Sequence, residues 1–194
     1  MQRICVFCGS SPGGDSRYAE LARGLGGILA RRGLGLVYGG GNVGLMGVVA
    51  QRVLDGGGRV IGVIPYQLQA KELAHQGCTE LVLVPGMHQR KQIMYDRADA
   101  FIVFPGGFGT LDEAMEILTW KQLGIHAKPV VFANIEGYFD GILGFVGRAI
   151  ADGLLKPAYA PLAHFAADVP GLFAYLDDYT PRHGGVATWD VPSP

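Results

Sequence analysis

Along the chain, short runs of β-branched and aromatic residues alternate with helix-length segments, and glycines gather where the runs end. Residues 3–8, 35–38, 59–64, 80–84, 100–104 and 130–133 read as strands. Residues 16–32, 45–54, 89–98, 110–123 and 139–151 read as the helices between them. The strand runs are nearly continuously apolar instead of alternating, which is the pattern left by crossover helices covering both faces of a sheet. A parallel, doubly wound α/β fold is therefore predicted. Residues 162–167 and 171–179 are expected to add a last strand and helix, completing one domain over residues 1–180, and the Pro-, Gly-, Ser- and Thr-containing tail from Pro181 is expected to be loose.

In such sheets ligands settle at the carboxyl ends of the strands, where loops lead into helix starts. Glycine-rich segments fall there at residues 9–14, 39–44 and 105–110. The charge balance, 17 acidic against 16 basic residues with no run of five like charges, argues against a nucleic-acid or membrane surface held by bulk charge. A small-molecule partner is expected instead. No apolar stretch reaches eighteen residues, and Met1 to Cys5 enters a strand-like run directly, so a cytoplasmic protein is predicted. An odd number of cysteines, 3, fits a reducing compartment. Cys5 and Cys8 form a C-x-x-C, but Val6 and Phe7 continue a strand pattern between them, so buried thiols are expected, not a redox pair. The histidines at 75, 88, 126, 164 and 183 lack metal-ligand spacing, and no metal or other cofactor is called for.

The segment Pro105-Gly106-Gly107-Phe108-Gly109-Thr110 has the makings of a phosphate cradle. Glycines let main-chain N–H groups approach an anion, and the following helix adds its unpaired first amides and positive dipole end. It is not a Walker loop, because no Gly-Lys-Ser/Thr follows. Gly39, Gly41 and Gly44 can be read as G-x-G-x-x-G, yet no acidic residue stands about twenty positions on to take a ribose. That loop is either a tight turn or a wall of the nucleotide pocket. On the second view Gly41, with Ser10 of the first loop, is a candidate contact.

Glu113 has two readings as well. Thr110-Leu111-Asp112-Glu113 matches a T-x-x-E capping box, which would make Glu113 purely structural. Against this, Asp112, Glu113 and Glu116 would crowd negative charge close to a bound anion. Arg90 and Lys91 are candidate counter-charges, or else a solvated surface pair. Met46, Phe108 and Trp120 are candidate base-pocket residues, equally readable as core.

Taken together, Tyr38-Gly39-Gly40-Gly41, Gly44-Leu45-Met46-Gly47, Met87-His88-Gln89-Arg90-Lys91, the Pro105-to-Glu113 segment, Thr119-Trp120 and Leu123-Gly124-Ile125-His126 strongly resemble the LOG ("lonely guy") family. Those proteins are cytokinin riboside 5′-monophosphate phosphoribohydrolases. The resemblance implies a Rossmann-like fold, a homodimer, and hydrolysis of the N-glycosidic bond of an N6-substituted AMP to free base and ribose 5-phosphate. It also implies Arg90 and Glu113 as the catalytic pair. By position, substrate contacts fall on Glu72, Lys91, Gly107, Phe108, Gly109, Thr110, Leu111, Asp112, Glu113 and Thr119, with Glu116 in support. Relatives have been labelled lysine decarboxylases, but the sequence offers no recognisable Schiff-base lysine with an acidic partner. The alternative class is a non-catalytic nucleotide-binding or carrier protein on the same fold.

Overall fold

The structure is a computed structural model that describes residues 1–69 and 74–179. Glu72 and the tail from Pro181 lie outside the described residues. The strands β1 (Arg3–Phe7), β2 (Gly35–Tyr38), β3 (Val60–Pro65), β4 (Glu80–Val84), β5 (Ala100–Val103), β6 (Val130–Ala133) and β7 (His164–Ala166) form one seven-stranded sheet, ordered β4-β3-β2-β1-β5-β6-β7. Every pairing is parallel. The helices are α1 (Ser16–Arg31), α2 (Gly44–Asp55), the short α3 (Tyr66–Gln69), α4 (Met87–Arg97), α5 (Phe108–Gln122), α6 (Asp140–Ala151) and α7 (Val169–Asp178).

Burial explains the sequence pattern. Every residue of β3, β5 and β6 is buried, because helices cover both faces and no strand position is left for a polar side chain. Leu25 and Leu29 of α1, Val49 and Val53 of α2, and Leu172 and Phe173 of α7 pack on one face. Met94 of α4, Ala114 and Ile117 of α5 and Phe139 before α6 pack on the other. The doubly wound expectation therefore holds, including the late strand and helix. The α3 turn and the 3-10 turns Ile135–Gly137 and Pro157–Leu162 were not foreseen, being too short to show a period.

The chain winds outward from β1 to β4, then crosses by α4 to β5 on the other side of β1. That reversal opens a crevice between the carboxyl ends of β1 and β5. Beyond the far end of the helix that leaves β5, two polar side chains tie the chain to α5 and to α4. His126 bonds the Ile117 carbonyl through Nε2 at 2.9 Å and accepts the Lys128 N–H on Nδ1 at 3.1 Å. The Lys128 ammonium donates to the Tyr95 carbonyl at 2.7 Å and sits 3.9 Å from the centre of the Tyr95 ring.

Burial pushes the His126 pKa from 6.5 down to about 4, only partly opposed by the bond to Ile117. In the unfolded chain the imidazole takes up its proton near 6.5, so the stability this group contributes is complete above that pH and is lost as the pH falls toward 4. Urea denaturation should show about 2 kcal/mol lost from this one group between pH 6.5 and 4.5. The slope over that window should flatten in His126→Gln.

Candidate active site

At the crevice, backbone meets backbone. The Gly9 N–H donates to the Pro105 carbonyl at 3.0 Å, tying the end of β1 to the loop after β5. A Cβ on Gly106 would lie 2.1 Å from Thr110 Oγ1 and 2.8 Å from the Gly9 nitrogen, so only glycine lets these three segments close together. The loop from β2 packs in the same way. A Cβ on Gly44, whose φ is +61°, would lie 2.2 Å from the Ser10 carbonyl carbon. The Gly39–Gly44 loop is thus a close-packing turn that also walls the crevice, with Gly41 buried and bridged to Ala74.

The helix α5 begins at Phe108, two residues earlier than expected, and its cap residue Gly107 has no side chain to offer. The Leu111 N–H bonds the Gly107 carbonyl at 3.1 Å, which begins the helical ladder. The amides of Phe108, Gly109 and Thr110 precede that ladder and so have no acceptor within the helix. Thr110 is therefore not a cap. It is buried inside the first turn against Gly106, and Glu113 stands too far along the helix to reach back to the cap amide. The capping-box reading falls for that reason. The helix starts of α2, α4 and α6 also lack a side-chain cap, whereas Asp15 and Asp168 cap α1 and α7.

Glu113 is instead buried, 7 % exposed, with Arg90 Nη2 at 3.9 Å from Oε1. Arg90 is 5 % exposed, so the surface-pair reading also falls. Its Nη2 donates to the Gly39 carbonyl at 3.0 Å, and a Cβ on Gly39 would lie 1.8 Å from that same nitrogen. Glycine at 39 makes room for the guanidinium. Lys91, 8 % exposed, reaches Asp112 Oδ2 and Glu116 Oε2, each at 3.1 Å. Burial by itself would lower the Lys91 pKa, but the bonds to Asp112 and Glu116 outweigh it and hold the ammonium above the usual lysine value. Consecutive cations of α4 thus face three carboxylates of α5.

Other expected residues distribute as follows. Met46 is buried beside Gly39, and Ser10 and Phe108 are exposed at the mouth, Phe108 by 94 %. Leu111 and Trp120 are half-buried in the core on the α4 and α5 face. Thr119 is not brought to the loop: it lies nine positions beyond Thr110, roughly 13 Å along the helix, with its hydroxyl on the Met115 carbonyl at 2.8 Å. Cys5 and Cys8 are buried free thiols whose pKa values are raised, first by burial and then by the charge of Glu113. Among the described residues no group of three or more His, Cys, Asp or Glu side chains is placed to hold a metal. Burial lowers the pKa of Lys121 to about 8, but it sits in the last turn of α5 with its ammonium on the Leu162 carbonyl, far from the glycine loops. A cleft of about 590 Å³ at the amino ends of the strands, lined by Arg3, Arg59, Glu80 and Arg97, lies at the opposite end of the sheet from these residues.

A switch-point crevice, a helix start that no side chain caps and a buried Arg–Glu pair beside it define an α/β protein of the doubly wound class. The chain belongs to the LOG family. A family described as "Possible lysine decarboxylase" matches residues 46–176. The cytokinin riboside 5′-monophosphate phosphoribohydrolase LOG1 of Arabidopsis thaliana is 46 % identical over 193 residues, covering 98 % of this chain and 91 % of the relative. LOG3 of the same plant is 47 % identical over 193 residues, covering 98 % and 90 %. Among solved structures, the molybdenum cofactor carrier protein of Chlamydomonas reinhardtii superposes with a TM-score of 0.69 at 23 % identity, covering 91 % of this chain and 96 % of the other. The molybdenum cofactor binding protein of Rippkaea orientalis gives 0.67 at 19 %, covering 91 % and 95 %. At such identities these two speak for the fold alone.

The glycine geometry is testable by contrast. Gly44→Ala, strained in φ and clashing with backbone, should lose more than about 2 kcal/mol in denaturant unfolding. Gly107→Ala, with nothing within 4 Å of the new methyl, should change stability by less than about 0.5 kcal/mol.

Proposed function

We propose that this protein is a cytokinin riboside 5′-monophosphate phosphoribohydrolase, a hydrolase that splits the N-glycosidic bond of an N6-substituted AMP into free base and ribose 5-phosphate. The observation that carries the reading is the buried Arg90–Glu113 pair, 3.9 Å apart, with Glu113 in the second turn of a helix whose start no side chain caps. The near-full-length similarity to LOG1 and LOG3 supports the same reaction.

The chemistry follows from charge. As the C1′–N bond breaks, its electron pair leaves with the base and the ribose ring becomes cationic, as in glycoside hydrolysis. A carboxylate beside the ring stabilises that cation or takes a proton from the attacking water, whose oxygen closes on C1′ and whose released proton passes, through the carboxylate or solvent, to the departing base. Glu113 fills this role. Arg90, fixed by the Gly39 carbonyl, places a positive charge 3.9 Å from Glu113 and so favours one orientation of the carboxylate. The first-turn amides, from Gly107 to Thr110, anchor the 5′-phosphate and supply remote binding energy that fixes the ribose. Lys91 acts in this scheme by neutralising Asp112 and Glu116, which keeps two nearby negative charges from repelling the substrate.

We also infer a homodimer. The helix α6 is apolar in sequence, yet none of its residues is buried; Leu143 and Phe145 are 46 % and 66 % exposed, and Gly141, Gly144 and Gly147 leave its surface open to close approach. A second copy is the occupant this reading assigns to that face. The three free thiols fit a reducing compartment, and we assign the enzyme to the cytoplasm.

Incubation with N6-isopentenyl-AMP or AMP should release free base, detected by chromatography, whereas the corresponding nucleosides should be poor substrates; equal rates would remove the phosphate anchor from the scheme. Glu113→Gln should still bind nucleotide but lose about 10²–10⁴-fold in turnover. Arg90→Ala should also lose turnover, and an unchanged rate would exclude Arg90. Light scattering on the purified chain should give twice the monomer mass, and Phe145→Asp should shift it toward the monomer.

A further inference from the structure

Among the described residues, Glu136 is the one non-glycine residue with positive φ, +54°, in the turn after β6. Such a conformation persists where surrounding contacts over-determine it. Here Arg17 of α1 pairs with Glu136, the Asn134 carboxamide accepts the Phe139 N–H at 2.6 Å and donates to Asp140 Oδ1 at 2.8 Å, and Gly137 holds φ +74° against Asp140. The product of this bracing is the placement of one side chain. The Tyr138 ring stands edge-on to Tyr18 at 5.6 Å and to Phe139 at 4.9 Å, and its hydroxyl donates to the Gly106 carbonyl at 2.7 Å.

That carbonyl belongs to the Gly106–Gly107 peptide, in the middle of the glycine loop. A trans peptide is planar, so its C=O and N–H point in opposite directions. Holding the Gly106 oxygen toward Tyr138 therefore turns the Gly107 N–H away from Tyr138. Between two glycines this peptide plane can rotate at small steric cost, and the rotated form would present a carbonyl dipole to an anion in place of an N–H. We propose that Tyr138 is a positioning residue for the phosphate: its hydroxyl locks the Gly106–Gly107 peptide in the orientation that leaves the Gly107 N–H for a 5′-phosphate. The inference rests on the phosphate-loop reading above and adds to it a residue outside every glycine motif.

The test is Tyr138→Phe, which removes one oxygen and keeps the ring, with affinities for AMP and adenosine measured by calorimetry alongside KM and kcat. Affinity for AMP, and KM for the monophosphate substrate, should worsen roughly three- to tenfold, the scale of one hydrogen bond. Affinity for adenosine should not change. An unaltered AMP affinity, or an equal loss for adenosine, overturns the proposal. Should the wild-type protein bind AMP yet release no base, the hydrolase reading fails while Tyr138 is still judged on binding alone. A wild-type protein without preference for AMP over adenosine overturns both the phosphate site and the role of Tyr138.

Discussion

The contact of α4 with α5 places Arg90 and Lys91, both less than a tenth exposed, against Asp112, Glu113 and Glu116. Removing these charges from water is unfavourable, and the Arg90–Glu113 separation of 3.9 Å is that of an ion pair without a direct hydrogen bond between the two. Arg90 Nε is also buried with no hydrogen-bond partner among the described residues. Replacing a buried ion pair by well-packed hydrophobic side chains is often neutral or stabilising. Such an arrangement has a rationale where the charge is used, and the uncapped start of α5 beside it supplies the place.

The rest of the site depends on how closely backbones approach. Gly106 against Gly9 and Thr110, Gly44 against Ser10, and Gly39 against the Arg90 guanidinium each occupy space that a methyl group would fill. These contacts bring the ends of β1, β2 and β5 together at the reversal of strand order. They also couple fold to charge, since the carbonyl that seats Arg90 belongs to a glycine whose missing Cβ makes room for the guanidinium. Sheet topology sets where the crevice opens, and glycine sets how tightly it closes.

Much of this was legible along the chain because it rests on local physics. Apolar runs without alternation announced strands buried on both faces, and the clustering of glycines at their ends marked where the strand ends close on one another. The ambiguity at Glu113 was real, since T-x-x-E is a sound capping pattern. It was decided by the helix starting at Phe108, with Thr110 packed on Gly106, which no local pattern announces. Likewise, whether Arg90 and Lys91 face water or protein depends on α4 crossing beneath the sheet to meet α5. Tyr138 had no signal at all, because it lies 32 residues from the carbonyl it holds and in a turn too short to show a period.

By itself, then, the sequence determined the class of fold, the strand and helix order, and the set of residues able to carry the chemistry, because periodicity, glycine placement and residue type are properties of short stretches. The tertiary structure decided which of those residues are buried, which cation faces which carboxylate, that Thr119 stands apart from the loop, and that Tyr138 belongs beside it. Those are matters of distance between segments far apart in the chain, and burial and electrostatic strength are set by such distances.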